Sequence, residues 1–159
     1  MSERSYAERL GEIWSVLLGE ECQSRLRSKS PNLQPAGEDE EGNFVIKTEG
    51  PPFVKPKDPP RGIVFHDESF LVVYEKWSKE TDTIVGYKYH YQRSNGSNFR
   101  YDMEEVERRG HPKHHVQATE LGEDTRLSTG TVYCEDVLQT IVEQFVVNVA
   151  SSRRYGRSR

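Results

Sequence analysis

The dipeptide Asn95-Gly96 constrains this chain more than any other feature. It lies between two runs that alternate aromatic and polar residues, Tyr87-Lys-Tyr-His-Tyr-Gln before it and Phe99-Arg-Tyr-Asp after it. Asn-Gly tolerates the left-handed backbone of a tight turn, and strict alternation sends successive side chains to opposite faces. The segment therefore predicts a hairpin over residues 82–92 and 98–103. Two registers are open. If Asn95-Gly96 is a two-residue turn, Tyr91 opposes Arg100, His90 opposes Tyr101 and Tyr89 opposes Asp102. If the loop has three residues and a bulge, Tyr91 opposes Tyr101, Gln92 opposes Arg100 and His90 opposes Asp102. The dipeptide favours the first. Patterning favours the second, which gathers Tyr87, Tyr89, Tyr91, Phe99, Tyr101 and Met103 on one face and Lys88, His90, Gln92, Arg100 and Asp102 on the other. In that register His90 and Asp102 pair on a basic, solvent-facing strip, and the carboxylate raises the imidazole pKa and fixes its tautomer.

Around the hairpin, residues 4–28 predict one helix, with Tyr6, Leu10, Ile13 and Leu17 at helical spacing and Trp14 and Leu18 beside them. Residues 29–42 carry Pro31, Pro35, Gly37 and the acidic run 38–41, and predict a solvated loop. Phe44-Val45-Ile46 predicts a short strand. Residues 50–60 hold five prolines and predict an extended linker. Two strands follow, Arg61 to Phe65 and Phe70 to Trp77, around the turn 66–69. Residues 104–113 predict a loop, 114–119 a strand and 120–131 a loop. Residues 134–150 predict a helix with Val137, Leu138, Ile141, Val142, Phe145, Val146 and Val149 on its apolar face. The expected fold is α+β: an antiparallel meander sheet with a C-terminal helix packed on one face and a separate N-terminal helix. The expected organisation is an N-terminal helical arm, acidic loop and short strand over 1–49, a linker over 50–60, a core domain over 61–150 and an arginine-rich disordered tail over 151–159.

At 159 residues, with 33% hydrophobic and 30% charged side chains, the chain predicts a small core with polar segments. The net charge of −4 excludes a general basic coat but not a local basic patch. Cys22 and Cys134 lie far apart in apolar patterns and predict buried free thiols in a reducing compartment. With no signal-like run at the N-terminus and no long apolar segment, the expected location is cytoplasmic, without membrane contact.

Four of the five histidines fall between residues 87 and 115. His90, His111, His114 and His115 supply candidate general acids and bases, Arg100 a cation for a phosphate, and Asp102 an orienting carboxylate. Lys88, Arg93, Lys113, Arg153 and Arg154 are candidate nucleic-acid contacts. This is the inventory of a metal-independent ribonuclease, and no metal or cofactor is expected, because thiol pairs, a zincin spacing and phosphate-binding glycine loops are missing. Each feature has a plainer counterpart. The histidines fit a polar loop, the Lys88–Asp102 set fits an exposed cross-strand ladder, and the three tyrosines fit a core beneath the C-terminal helix as well as a base-stacking platform. The chain also fits a non-catalytic nucleic-acid-binding or protein-interaction module.

The runs Tyr87-Lys-Tyr-His-Tyr-Gln and Phe99-Arg-Tyr-Asp, the glycine turn between them and the downstream His111-Pro-Lys-His-His resemble the TumE-like toxins of prokaryotic toxin–antitoxin pairs. The resemblance covers about 70 residues, from Arg61 to the C-terminal helix, and leaves out the N-terminal helix and the proline-rich stretch. In that family a histidine-rich segment follows the Tyr-Asp closely, whereas here residues 103–110 intervene. The resemblance implies a small α+β toxin partnered by a cognate antitoxin, often a DNA-binding protein. RNA as a target is an inference from residue types alone.

Overall fold

The computed structural model describes residues 5–104, 112–122 and 125–147. Its centre is an antiparallel sheet built from β1 (Leu33–Glu38), β2 (Phe44–Thr48), β3 (Ile63–Val64), β4 (Phe70–Trp77), β5 (Ile84–Gln92), β6 (Asn98–Met103), β7 (His114–Ala118) and β8 (Leu127–Ser128). The strands lie in the order β1-β2-β4-β5-β6-β7-β8. β2 and β3 share one edge of β4, β2 pairing its end near Trp77 and β3 its start near Phe70. The sheet is thus the expected meander, and the proline-rich stretch 50–60 connects two strands that lie beside the same neighbour.

One face of the sheet carries α1 (Tyr6–Leu17) and α3 (Cys134–Gln144). Ile13 and Leu17 of α1 and Val137, Leu138, Ile141 and Val142 of α3 are buried against Ile46, Leu71, Val73, Tyr87, Tyr89 and Tyr91. Tyr87, Tyr89 and Tyr91 are at most 1% exposed, so these aromatics are core and not a stacking platform. Cys22 and Cys134 are free and buried in the same layer.

Four expectations are corrected. The first helix is not continuous to residue 28. It ends at Leu17, Gly19 takes an extended conformation, and a short second helix, α2 (Glu20–Gln23), follows. Glycine there removes the side chain that would favour continuing the helix. Residues 33–38 are a strand and not a loop. All but Leu33 are exposed, and a bulge between Pro35 and Glu38 marks the sheet edge, where proline and charge are tolerated. The stretch 120–131 contains β8, which pairs with β7 through His115 and Val116. The last helix ends at Gln144 instead of 150. Beyond it the Arg25 Nε donates to the Val146 carbonyl at 2.6 Å, and residues 148–150 lie outside the described residues.

The hairpin register is neither of the two expected. Tyr91 opposes Phe99, Tyr89 opposes Tyr101, His90 opposes Arg100 and Lys88 opposes Asp102. Gly96 N–H donates to Arg93 O at 3.0 Å and Arg93 N–H to Ser97 O at 2.9 Å, so three residues, Ser94 to Gly96, form the loop. Gly96 has φ +91° while Asn95 does not have a positive φ. The dipeptide therefore closes a bulged loop with its glycine alone, where a two-residue turn would need both residues left-handed. The loop begins one residue earlier than expected, which slides the pairing by two. A two-residue slide keeps every side chain on its face, so the apolar and polar segregation survives while the partners change.

Candidate functional site

The sheet face opposite the helices carries two polar rows. His90, Arg100 and Gln117 lie side by side on β5, β6 and β7, and Lys88, Asp102 and His115 form the next row. Cross-strand neighbours share a face, so the meander alone assembles six polar side chains from three strands.

Asp102 anchors the rows. Its Oδ2 accepts from Arg100 Nε at 2.6 Å and lies 3.4 Å from His115 Nε2, while Oδ1 lies 3.9 Å from Lys88 Nζ. Arg100 Nη2 also donates to Gln117 Oε1. The guanidinium is thus held by an acid on its own strand and an amide on the next, with its side chain 31% exposed. His115 Nδ1 lies 2.8 Å from Pro112 O, and a carbonyl only accepts, so this nitrogen carries a proton.

His90 is 6% exposed, so the strip is not solvent-facing along its whole length. Its Nε2 lies 3.0 Å from Gln92 Oε1, and its Nδ1 is buried with no hydrogen-bond partner among the described residues. Burial lowers its pKa, and the Arg100 charge adds to that shift against the opposing pull of Gln92 and Asp102. The expectation of a raised pKa fails because Asp102 sits across from Lys88 and spends its nearest contacts on Arg100 and His115.

A cleft of about 360 Å³ opens over the first row. His90, Gln92, Asn98, Arg100, Gln117 and Thr119 supply polar lining, and Val54 and Pro56 of the proline-rich stretch form an apolar wall. Val54 packs on a small second cluster of Val64, Phe70 and Val72. Sequence reasoning missed Gln117, which becomes visible only once β7 is paired in register with β6. It also missed Val54 and Pro56, for which no local signal exists.

The other expected residues are dispersed. His114 faces the helix side, its Nδ1 2.9 Å from the Tyr87 hydroxyl, and it lines a separate cleft with Lys113 and Tyr133. Burial and the Lys113 charge lower its pKa, and burial raises the Tyr87 phenol to about 12. His115 is 1% exposed and lies 3.4 Å from Asp102, which in turn holds Arg100 of the cleft. Arg93 stacks over Phe145 at 5.6 Å. His111, Arg153 and Arg154 lie outside the described residues.

On the helix side the sheet buries an ion-pair network that the sequence did not announce. Arg9 Nε and Nη2 donate to the Glu75 carboxylate at 3.0 and 2.6 Å, and Nη1 and Nη2 to Glu135 at 2.6 and 2.9 Å. Trp77 Nε1 and the Tyr89 hydroxyl complete the shell of Glu75 at 3.0 and 2.8 Å. Burial pulls the Arg9 pKa down, but the two carboxylates outweigh it and raise it further above its ordinary range. The signal available in sequence was a charge within each apolar stripe, Arg9 in the first helix and Glu75 in β4.

Among the described residues no group of three or more histidines, cysteines or acids is placed to hold a metal ion, and no helix is long and apolar enough to cross a membrane. No curated protein and no solved structure matches the chain. The family model for Toxin TumE matches residues 51–146, beginning ten residues before Arg61 and so taking in the proline-rich stretch that walls the cleft. That match covers more than half of the chain, and the protein belongs to the TumE toxin family.

Proposed function

We propose that this toxin cleaves RNA without a metal ion, in the cleft between the proline-rich stretch and strands β5 to β7. His90 takes the proton from a ribose 2′-hydroxyl as its oxygen bonds to phosphorus, Arg100 stabilises the charge that develops on the phosphate, and the P–O5′ bond breaks with the departing 5′-oxygen protonated by water, leaving a 2′,3′-cyclic phosphate. Asp102 and Gln117 hold the guanidinium in place, and His115 packs 3.4 Å from Asp102. Lys88, 44% exposed on its side chain, extends positive charge along the strip. The observation that carries this reading is His90 itself: an imidazole with one buried ring nitrogen that has no hydrogen-bond partner among the described residues, opposite an arginine, in a cleft. Its Nδ1 lies under the cleft surface, so a substrate must shift the lining side chains to meet it. Catalytic hydrogen bonds commonly tighten only in the substrate complex. Toxin-family membership supplies an antitoxin as the partner, and we take that antitoxin to be a DNA-binding protein.

The test is incubation of the purified protein with labelled single-stranded RNA, with and without EDTA, beside His90→Ala and Arg100→Ala. Cleavage that survives EDTA and is lost by at least a hundredfold in His90→Ala supports the reading. Intact RNA in every lane overturns it.

A second reading has its own observation. Among the described residues His90 is the only histidine, and no carboxylate joins it, in the lining of the cleft. A leaving group there has no evident proton donor, which suits a site that grips a phosphate without breaking it. Salt-sensitive RNA binding with no cleavage would favour this alternative.

A further inference from the structure

Gln92 stands two residues from His90 on the same strand and face, and both are 6% exposed. Its two amide atoms are spoken for at once. Nε2 donates to the Gly96 carbonyl at 3.3 Å, and Oε1 lies 3.0 Å from His90 Nε2. The Gly96 carbonyl only accepts, so the amide cannot be flipped without setting two acceptors against each other. With Oε1 turned to the imidazole, His90 Nε2 must carry the proton. Nδ1 is then the nitrogen with the lone pair, and it is the one left without a partner.

We propose that Gln92 is a positioning residue that locks His90 in the Nε2–H tautomer, and that the cleft thereby selects a ligand with a hydroxyl beside a phosphate. The argument rests on the reading of the cleft given above and sharpens its substrate class. A lone pair accepts and cannot donate, so whatever meets Nδ1 must bring a hydrogen. Arg100, at the opposing register position, keeps its side chain 31% exposed beyond its contacts with Asp102 and Gln117, and so offers positive charge to a neighbouring anion. A ribonucleotide carrying a 3′-phosphate meets both demands through its 2′-hydroxyl, and a deoxyribonucleotide meets only the second. The bulged loop is part of the device. Gly96 has φ +91°, and its carbonyl holds the amide that orients the imidazole. The turn that sets the hairpin register therefore also sets the tautomer.

Nitrogen-15 NMR of the imidazoles in the full chain tests this directly, with His90→Asn to assign the signals. The expected spectrum at pH 7.5 has His90 Nε2 protonated and Nδ1 unprotonated. A protonated Nδ1 in the neutral ring overturns the proposal. Gln92→Met, which keeps the length and loses both polar atoms, should release the ring to a mixture of tautomers. An unchanged ring in Gln92→Met counts against the lock. Titration with adenosine 3′-monophosphate should move the His90 Nδ1 signal, and its 2′-deoxy analogue should bind at least tenfold more weakly. Equal binding of the two overturns the selection for a hydroxyl. None of these readouts needs turnover, so intact RNA alongside an Nε2–H ring would sink the ribonuclease reading and leave the tautomer lock standing.

Discussion

The two faces of the sheet bury polar groups in opposite ways. On the helix side Arg9 is hydrogen-bonded to Glu75 and Glu135, with the Glu12 carboxylate 3.6 Å away at the margin of the set. Glu75 is saturated by Arg9, Trp77 and Tyr89, and the whole arrangement ties α1 to β4 and α3. On the far side Asp102 Oδ2 accepts from Arg100 and lies 3.4 Å from His115, yet Asp102 Oδ1 and His90 Nδ1 are both buried with no hydrogen-bond partner among the described residues. A satisfied buried network specifies an arrangement of elements, whereas an orphaned acceptor costs stability and persists where something else uses it. The helix-side face ties elements together, and the far face carries the cleft of the proposed site, although both draw on the same residue types.

Breaking the helix-side network should have the largest effect. Glu75→Ala leaves an indole N–H and a phenol without their acceptor and the buried guanidinium with Glu135 but not Glu75, and we expect a loss of about 3–5 kcal/mol in urea unfolding. A loss under about 1 kcal/mol would mean the network is not formed in solution. Asp102→Ala should cost less, about 1–3 kcal/mol, since Arg100 is part-exposed and water can replace the carboxylate. The paired change His90→Leu with Gln92→Leu should move stability by no more than about 1 kcal/mol, because it removes an orphaned acceptor along with its companion. RNA cleavage or binding should vanish in the same variant. A fall as large as that of Glu75→Ala would erase the contrast between the faces. Val54→Ala, which thins the cleft wall at a half-buried position, should cost about 1 kcal/mol.

The smallest effect is the dependence on pH. Burial holds His90 and His114 below the usual value of 6.5, so the unfolded chain takes up those protons first as pH falls. Stability from these groups is full above pH 6.5 and declines as pH drops from there through the lower folded-state values. Denaturant midpoints between pH 8 and pH 5 should show that slope, and His90→Gln should flatten it. A slope of opposite sign would place a bound proton on His90 in the folded chain.

Much of the fold was legible because period and punctuation are local properties. Phe70 to Trp77 reads as a strand, and Val137, Leu138, Ile141 and Val142 read as one helix face, without knowledge of their neighbours. The edge strand β1 was not legible, since an exposed edge tolerates proline, glycine and acid that otherwise spell a loop. Of the candidate site, His90, Arg100, Asp102 and Lys88 come together as their shared alternation implied, though with exchanged partners. His114 and His115, adjacent in sequence, part to opposite faces because a strand sends neighbours apart.

Sequence alone determined which side chains of each hairpin strand share a face, and left the parity of their pairing open between two registers. Alternation of tyrosine with Lys88, His90 and Gln92 settles which side chains share a face, and no slide by two residues can undo it. Tertiary structure decided everything that depends on distance across the chain: that His90 meets Arg100 and not Asp102, that Gln117 completes the row, that Val54 and Pro56 wall the cleft, and that Arg9 finds Glu75 and Glu135. The physical reason is that facing is set by the covalent geometry of one strand, whereas partnership is set by loop closure and by which buried charges can be satisfied together.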